Sequence, residues 1–125
     1  MSSSHELIGR ILSSLIAGGL RKQYLEPEEF ECADPPKFYE FMDVMHWMVE
    51  ERLIRVEGIE VDGLHRSVQL TSLGLKAAED KAFDENESVR EAVEKTPSGL
   101  SAEKYAKIGS FVGGLIGGMT KSIGG

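Results

Sequence analysis

Apolar residues along this chain change their period twice, and the changes mark its elements. Leu7, Ile8, Ile11, Leu12, Leu15 and Ile16 recur at helical spacing, which predicts a first helix with one face in the core. Ser3 followed three residues later by Glu6 has the spacing of a capping box, and Gly18-Gly19 weaken any continuation. From Arg21 to Ala33 the pattern breaks, so this segment is expected to be a connector holding at most one helical turn or a brief strand. Asp34 before Pro35 then offers an N-cap and a proline at the first helical position, where the missing amide costs nothing. In the helix they open, Phe38, Phe41, Met42, Met45, Met48, Val49 and Leu53 fall on one broad side. Trp47 falls nearly opposite, among Glu40, Asp43, Glu50 and Glu51. An indole there calls for a cover, either the C-terminal segment of the same chain or another protein.

The period then shortens. Arg55 to Glu60 and Arg66 to Leu70 read as two strands joined at Asp62-Gly63, a pair of residues that tolerates the positive φ angles of a tight hairpin. Thr71 can cap a following helix that carries Leu73, Leu75, Ala77 and Ala78. A short helix from about Glu87 to Lys95 is expected before Thr96-Pro97-Ser98-Gly99, the clearest linker in the chain. The resulting class is α+β and mostly helical, with a winged-helix-like domain over 1–83, an acidic helix and linker over 84–99, and a glycine-rich apolar helix over 100–125.

That last segment has its own pattern. Gly109, Gly113 and Gly117 fall at four-residue intervals beside Gly114 and Gly118, while Ile108, Phe111, Val112, Leu115, Ile116, Met119 and Ile123 occupy the other side. Each helical glycine costs on the order of 1 kcal/mol relative to alanine, so such a helix needs a partner whose backbone comes close. Ile8–Gly18 matches Ile108–Gly118 position for position, small for small and apolar for apolar, and Gly9, Ser13 and Ala17 give the first helix a small-residue row of its own. The two helices are therefore expected to pair closely, within one chain or by exchange in a dimer, and Gly113→Leu is expected to lower stability or oligomeric state. The uncharged run between Lys107 and Lys121 reaches only about 20 Å as a helix, against a hydrocarbon core of about 30 Å. Spanning a membrane is thus disfavoured, and peripheral insertion stays as a lesser reading.

Composition narrows the function classes. The chain has 125 residues, enough for one domain with a core, and 14 Lys plus Arg against 21 Asp plus Glu give a net charge of -7. This charge opposes the phosphate neutralisation on which nucleic-acid binding rests. A single cysteine, Cys32, excludes an internal disulfide, and Met1-Ser2-Ser3-Ser4-His5-Glu6 lacks the basic region of a signal peptide, so a cytoplasmic location is expected. No catalytic constellation stands out. Asp43, His46 and Glu50 share a helical face without an evident fourth metal ligand, Cys32 has no base partner, and the glycines lack the Lys-Ser/Thr ending of a phosphate loop. No cofactor, metal or catalytic residue is expected.

Glu50-Glu51-Arg52-Leu53-Ile54, a hairpin of this length, and Leu70-Thr71-x-x-Gly74 together resemble the second half of prokaryotic winged helix-turn-helix domains, over roughly Phe38 to Glu79. The resemblance implies a winged-helix core with a small hairpin wing. It further implies that the helix before the wing would carry DNA contacts on Tyr39, Glu40, Asp43, His46 and Trp47, with Arg55, His65 and Arg66 in the wing. Acids dominate that helix, so the expected function is a non-enzymatic protein-interaction or assembly module. It would be oligomeric through its terminal helices and bind its partner through Trp47, Val44, Glu40, Asp43 and Glu51. A DNA-binding regulator of the winged-helix type is the alternative, and a peripheral membrane protein the third.

Overall fold

A computed structural model describes residues 2–83 and 87–115 as an α+β structure, mostly helical, with a small antiparallel sheet. In chain order it holds α1 (Ser2–Gly18), β1 (Gln23–Leu25), a 3-10 turn (Pro27–Phe30), α2 (Pro35–Glu50), β2 (Ile54–Arg55), β3 (Gly58–Ile59), β4 (His65–Leu70) and α3 (Ser72–Glu79). These are followed by β5 (Lys81–Phe83), β6 (Glu87–Ser88), α4 (Val89–Lys95) and α5 (Ala102–Leu115).

The stripe read from the first helix is the centre of the core. Leu7, Ile8, Ile11, Leu12, Leu15 and Ile16 are all buried, and Gly19 ends the helix at a φ of 66°, a conformation glycine adopts without steric cost. The expected connector supplies both of its options. β1 pairs with β4, and the 3-10 turn, closed by a capping box between Glu26 and Glu29, brings Phe30 into a stack on Phe41 at 5.8 Å. Asp34 and Pro35 do open α2, although the Asp34 side chain makes no capping hydrogen bond.

β4 is the centre of the main sheet, with β1 on one edge and β2 and β3 on the other. Its alternation is interrupted at Ser67, whose φ is 54°, and the register with β1 shifts at the same place. The bulge lets His65, Val68 and Leu70 all face the core while Arg66 stays outside. At the hairpin tip Gly63 has a φ of 93°, and an added Cβ would lie 2.8 Å from Phe38 and Pro27, so glycine is required twice over. A second, two-stranded sheet of β5 and β6, not expected from the sequence, precedes α4, whose start is fixed by a capping box between Ser88 and Glu91.

The Leu70-Thr71-x-x-Gly74 phrase has a mechanical explanation. α2 ends with Arg52 in the left-handed region at φ 64°, where Arg52 N donates to Val49 O and Leu53 N donates to Met48 O, both at 2.9 Å. The carbonyls left over are taken by Thr71, whose hydroxyl donates to Arg52 O and whose amide donates to Leu53 O at 3.0 Å. Thr71 Oγ1 also accepts from Gly74 N at 3.1 Å, capping α3. Gly74 in turn lies so close to the Leu53 carbonyl that a side chain there would overlap it. One threonine and one glycine thus join the end of α2 to the start of α3.

α5 packs antiparallel on α1 at backbone contact. A Cβ on Gly9 would collide with the Tyr105 carbonyl, and one on Gly109 would collide with the His5 carbonyl. Each residue's counterpart lies one hundred positions on, so the repeat seen in the sequence is also a local two-fold relation between the helices. Ile108 and Val112 are consequently buried on α1.

Pairing within one chain corrects part of the glycine reading. A Cβ added at Gly113 or Gly114 would meet nothing within 4 Å; Ala17 is exposed; Gly117 and Gly118 lie outside the described residues. Ser13 is buried in the pair, and its hydroxyl has no hydrogen-bond partner among the described residues. Gly113→Leu is therefore not the sensitive change. Gly9→Ala and Gly109→Ala are expected to lose about 1–3 kcal/mol in denaturant unfolding as the backbones are forced apart, whereas Gly113→Ala gains up to about 1 kcal/mol of helix propensity.

Candidate functional site

An apolar groove of about 700 Å³ lies between α2 and the α1–α5 pair. Ser4, His5 and Ile8 line it from α1, and Gly109 and Gly113 from α5. From α2 come Pro36, Lys37, Tyr39, Glu40, Asp43, Val44 and Trp47. Gly113 adds to the groove's room: a Cβ there would meet nothing within 4 Å, whereas Gly109 is filled by the close approach of the α1 backbone at His5.

The groove gathers most of the partner residues expected from the sequence. Glu40 accepts a hydrogen bond from Ser4 Oγ at 2.9 Å, which ties α1 to α2 at the groove's rim. Asp43 is exposed on the same rim, Val44 forms part of the floor, and Trp47 is half-buried, packed on the core with the rest of its ring towards the groove. Tyr39, 66% exposed, marks the other end.

Three placements differ from expectation. Val44 is only 6% exposed, because the buried stripe of α2 runs through Phe41, Val44, Met45 and Met48 and leaves Phe38, Met42 and Val49 only partly covered. The core face is rotated towards Trp47, which places the indole at the flank of the stripe and not opposite it. Glu51, 7% exposed, is buried at the end of α2 and does not line the groove. His65, 1% exposed, is not a wing contact: the bulge at Ser67 turns it inward, edge-on to Phe41 at 5.5 Å, with Nδ1 2.8 Å from the Gly63 carbonyl.

Around the β3–β4 hairpin, the described basic side chains are mostly paired. Arg66 pairs with Glu60 at 2.9 Å and Lys22 with Glu57 at 2.7 Å, while Arg55 is exposed. Lys22 holds the Glu57 carboxyl below its usual range. Cys32 is buried, its Sγ 3.3 Å from Phe30 O, and burial pushes the thiol above its ordinary value, away from the thiolate that nucleophilic chemistry requires. Among the described residues no group of three or more His, Cys, Asp or Glu side chains is arranged to hold a metal ion, and no helix is long and apolar enough to cross a membrane.

What sequence reasoning misses is the wall opposite Trp47. In the sequence Ser4, His5 and Ile8 are only parts of a helix start, and nothing in their local pattern signals a groove; only the depth of the α1–α5 contact does. Comparisons of this chain with family models, with curated proteins and with solved structures found no match.

His65 supplies a pH dependence. Burial lowers its pKa, outweighing the hydrogen bond to Gly63 O, so the folded state favours the neutral ring. The unfolded chain takes up a proton first as pH falls through about 6.5, and stability present above that pH is lost progressively below it. Melting temperature should fall between about pH 7 and 5, and His65→Gln should flatten that part of the curve.

Proposed function

We propose that this chain is a non-enzymatic protein-interaction module of the winged-helix type that receives an apolar, basic segment of a protein in the α1–α2–α5 groove. The single observation that carries this reading is the groove itself, apolar in its floor, lined by the chain's only tryptophan, and edged by Glu40 and Asp43. An indole at the edge of a pre-formed concave surface is the kind of residue that dominates binding energy at protein interfaces.

Support for the winged-helix part comes from the element order. β1 joins the sheet of the hairpin, the 3-10 turn Pro27–Phe30 stands where a helix-turn-helix has its first helix, and α2 leads into the wing. The same order argues against reading DNA. Of the five positions that would meet bases, Tyr39, Glu40, Asp43 and Trp47 line the groove formed with α1 and α5 while His46 is exposed outside it, and Glu40 and Asp43 are acids. Helix pairing at Gly9 and Gly109 is satisfied within one chain, so the surface that remains for a partner is the groove. A buried, unpaired thiol at Cys32 accords with a reducing, cytoplasmic setting.

The test is fluorescence anisotropy of a labelled helical peptide of Ala and Leu with flanking lysines, titrated with the full chain. Saturable binding is expected, and it should be abolished by Gly113→Leu, which fills the groove from a position with open space around it. Absence of binding to the peptide, together with a salt-dependent shift of duplex DNA, would overturn the proposal in favour of a DNA-binding regulator.

A further inference from the structure

A second cavity, of about 320 Å³, opens on the face of α1 opposite to the groove, between α1, α5, the 3-10 turn and the segment that joins α4 to α5. Its origin is the local two-fold relation of the two helices. One turn beyond Gly109 the groove is lined by Gly113 together with His5; one turn beyond Gly9 this cavity is lined by Ser13 together with Tyr105, each residue's counterpart lying one hundred positions away. We propose that this cavity binds a free α-amino acid with an apolar side chain. The inference goes beyond the reading of the groove and does not depend on it.

Ser13 is the residue the fold alone does not explain. It is 7% exposed and its hydroxyl has no hydrogen-bond partner among the described residues, although alanine would fill the same place without burying an unpaired donor. An acceptor on a ligand supplies what the fold does not. Tyr105 is a second donor: its oxygen accepts from Leu100 N at 3.0 Å, while its own proton has no acceptor among the described residues. The Arg10 guanidinium lies 5.0 Å over the Tyr105 ring and is held there by Glu6 Oε2 at 2.9 Å. Three donors around one cavity suit a carboxylate. Glu6 already neutralises Arg10, however, and Glu29 adds a carboxylate to the lining, so a bare anion is repelled while a ligand that also carries an ammonium is not. Phe30, Val93 and Leu100 supply apolar wall for the rest of the molecule. The volume, near the lower end of the roughly 300–1,000 Å³ of ligand pockets, suits a single amino acid better than a peptide.

The test is a titration of the isotope-labelled full chain with L-leucine, followed through backbone amide shifts and melting temperature. Saturable shifts centred on Ser13, Leu100 and Tyr105 are expected, with a rise in melting temperature. Ser13→Ala should weaken binding about ten-fold while the free chain melts at the same temperature or higher, a combination that a merely structural serine would not give. Glu29→Gln keeps the capping bond to Glu26 N, because a glutamine amide oxygen also accepts. It should weaken L-leucine about ten-fold and strengthen isocaproate, which is leucine without its amino group. Gly113→Leu, which fills the groove, should leave the affinity for L-leucine unchanged. Absence of saturable shifts with L-leucine would overturn the proposal, and so would wild-type protein that prefers isocaproate. Shifts centred on Ser4, His5 and Trp47, lost in Gly113→Leu, would place the ligand in the groove and overturn the assignment to this cavity.

Discussion

The rest of the structure depends on the contact between two helix backbones at Gly9 and Gly109. Neither helix is a strong one alone. α5 carries three glycines between Ile108 and Leu115, and each costs on the order of 1 kcal/mol in a helix. Lying antiparallel at the distance only glycine allows, α1 and α5 bury Ile108 and Val112 in the same core cluster as Ile8, Ile11 and Leu12, which offsets that cost through close packing. The same closeness fixes where α5 can run, and with it the depth of the channel left along α2. A small-residue row here does two things in succession: at Gly109 it admits a backbone, and at Gly113 it leaves a space.

A second device holds the other half of the fold. α2 ends in a left-handed residue, Arg52, although arginine tolerates that conformation poorly, and the Thr71 hydroxyl, itself bonded to Gly74 N, takes the Arg52 carbonyl from across the hairpin. The phrase that carries the winged-helix resemblance is therefore a local solution to joining a helix, a hairpin and a second helix, and it is silent about DNA. Function must be argued from the groove, where acids and an indole stand on the helix that would otherwise face phosphates.

Periodicity makes the core legible. The α1 stripe, the Asp62-Gly63 turn, the Thr71 cap and the repeat between the terminal helices are each visible in the order of residues, because each is a local rule with a fixed spacing. The positions that depart from it are those where a tertiary contact overrides the period. Ser67 bulges and turns His65 inward; α2 rotates its stripe so that Val44 is buried and Trp47 flanks it; Glu51 is buried at a helix end that no heptad count distinguishes from the exposed turn before it. The groove belongs to the same class. Trp47 signals it by standing off the apolar face, but its far wall is made by Ser4, His5 and Ile8, more than thirty positions earlier.

The central claim is that the two terminal helices of one chain touch backbone to backbone and thereby shape the Trp47 groove. Nuclear Overhauser contacts in the labelled protein test it most directly. Strong cross-peaks are predicted between the Gly9 Hα protons and the Tyr105 and Ala106 backbone, and between the Gly109 Hα protons and the His5 and Glu6 backbone, present in a dilute monomer. Their absence, or their appearance only between differently labelled chains, would contradict the account.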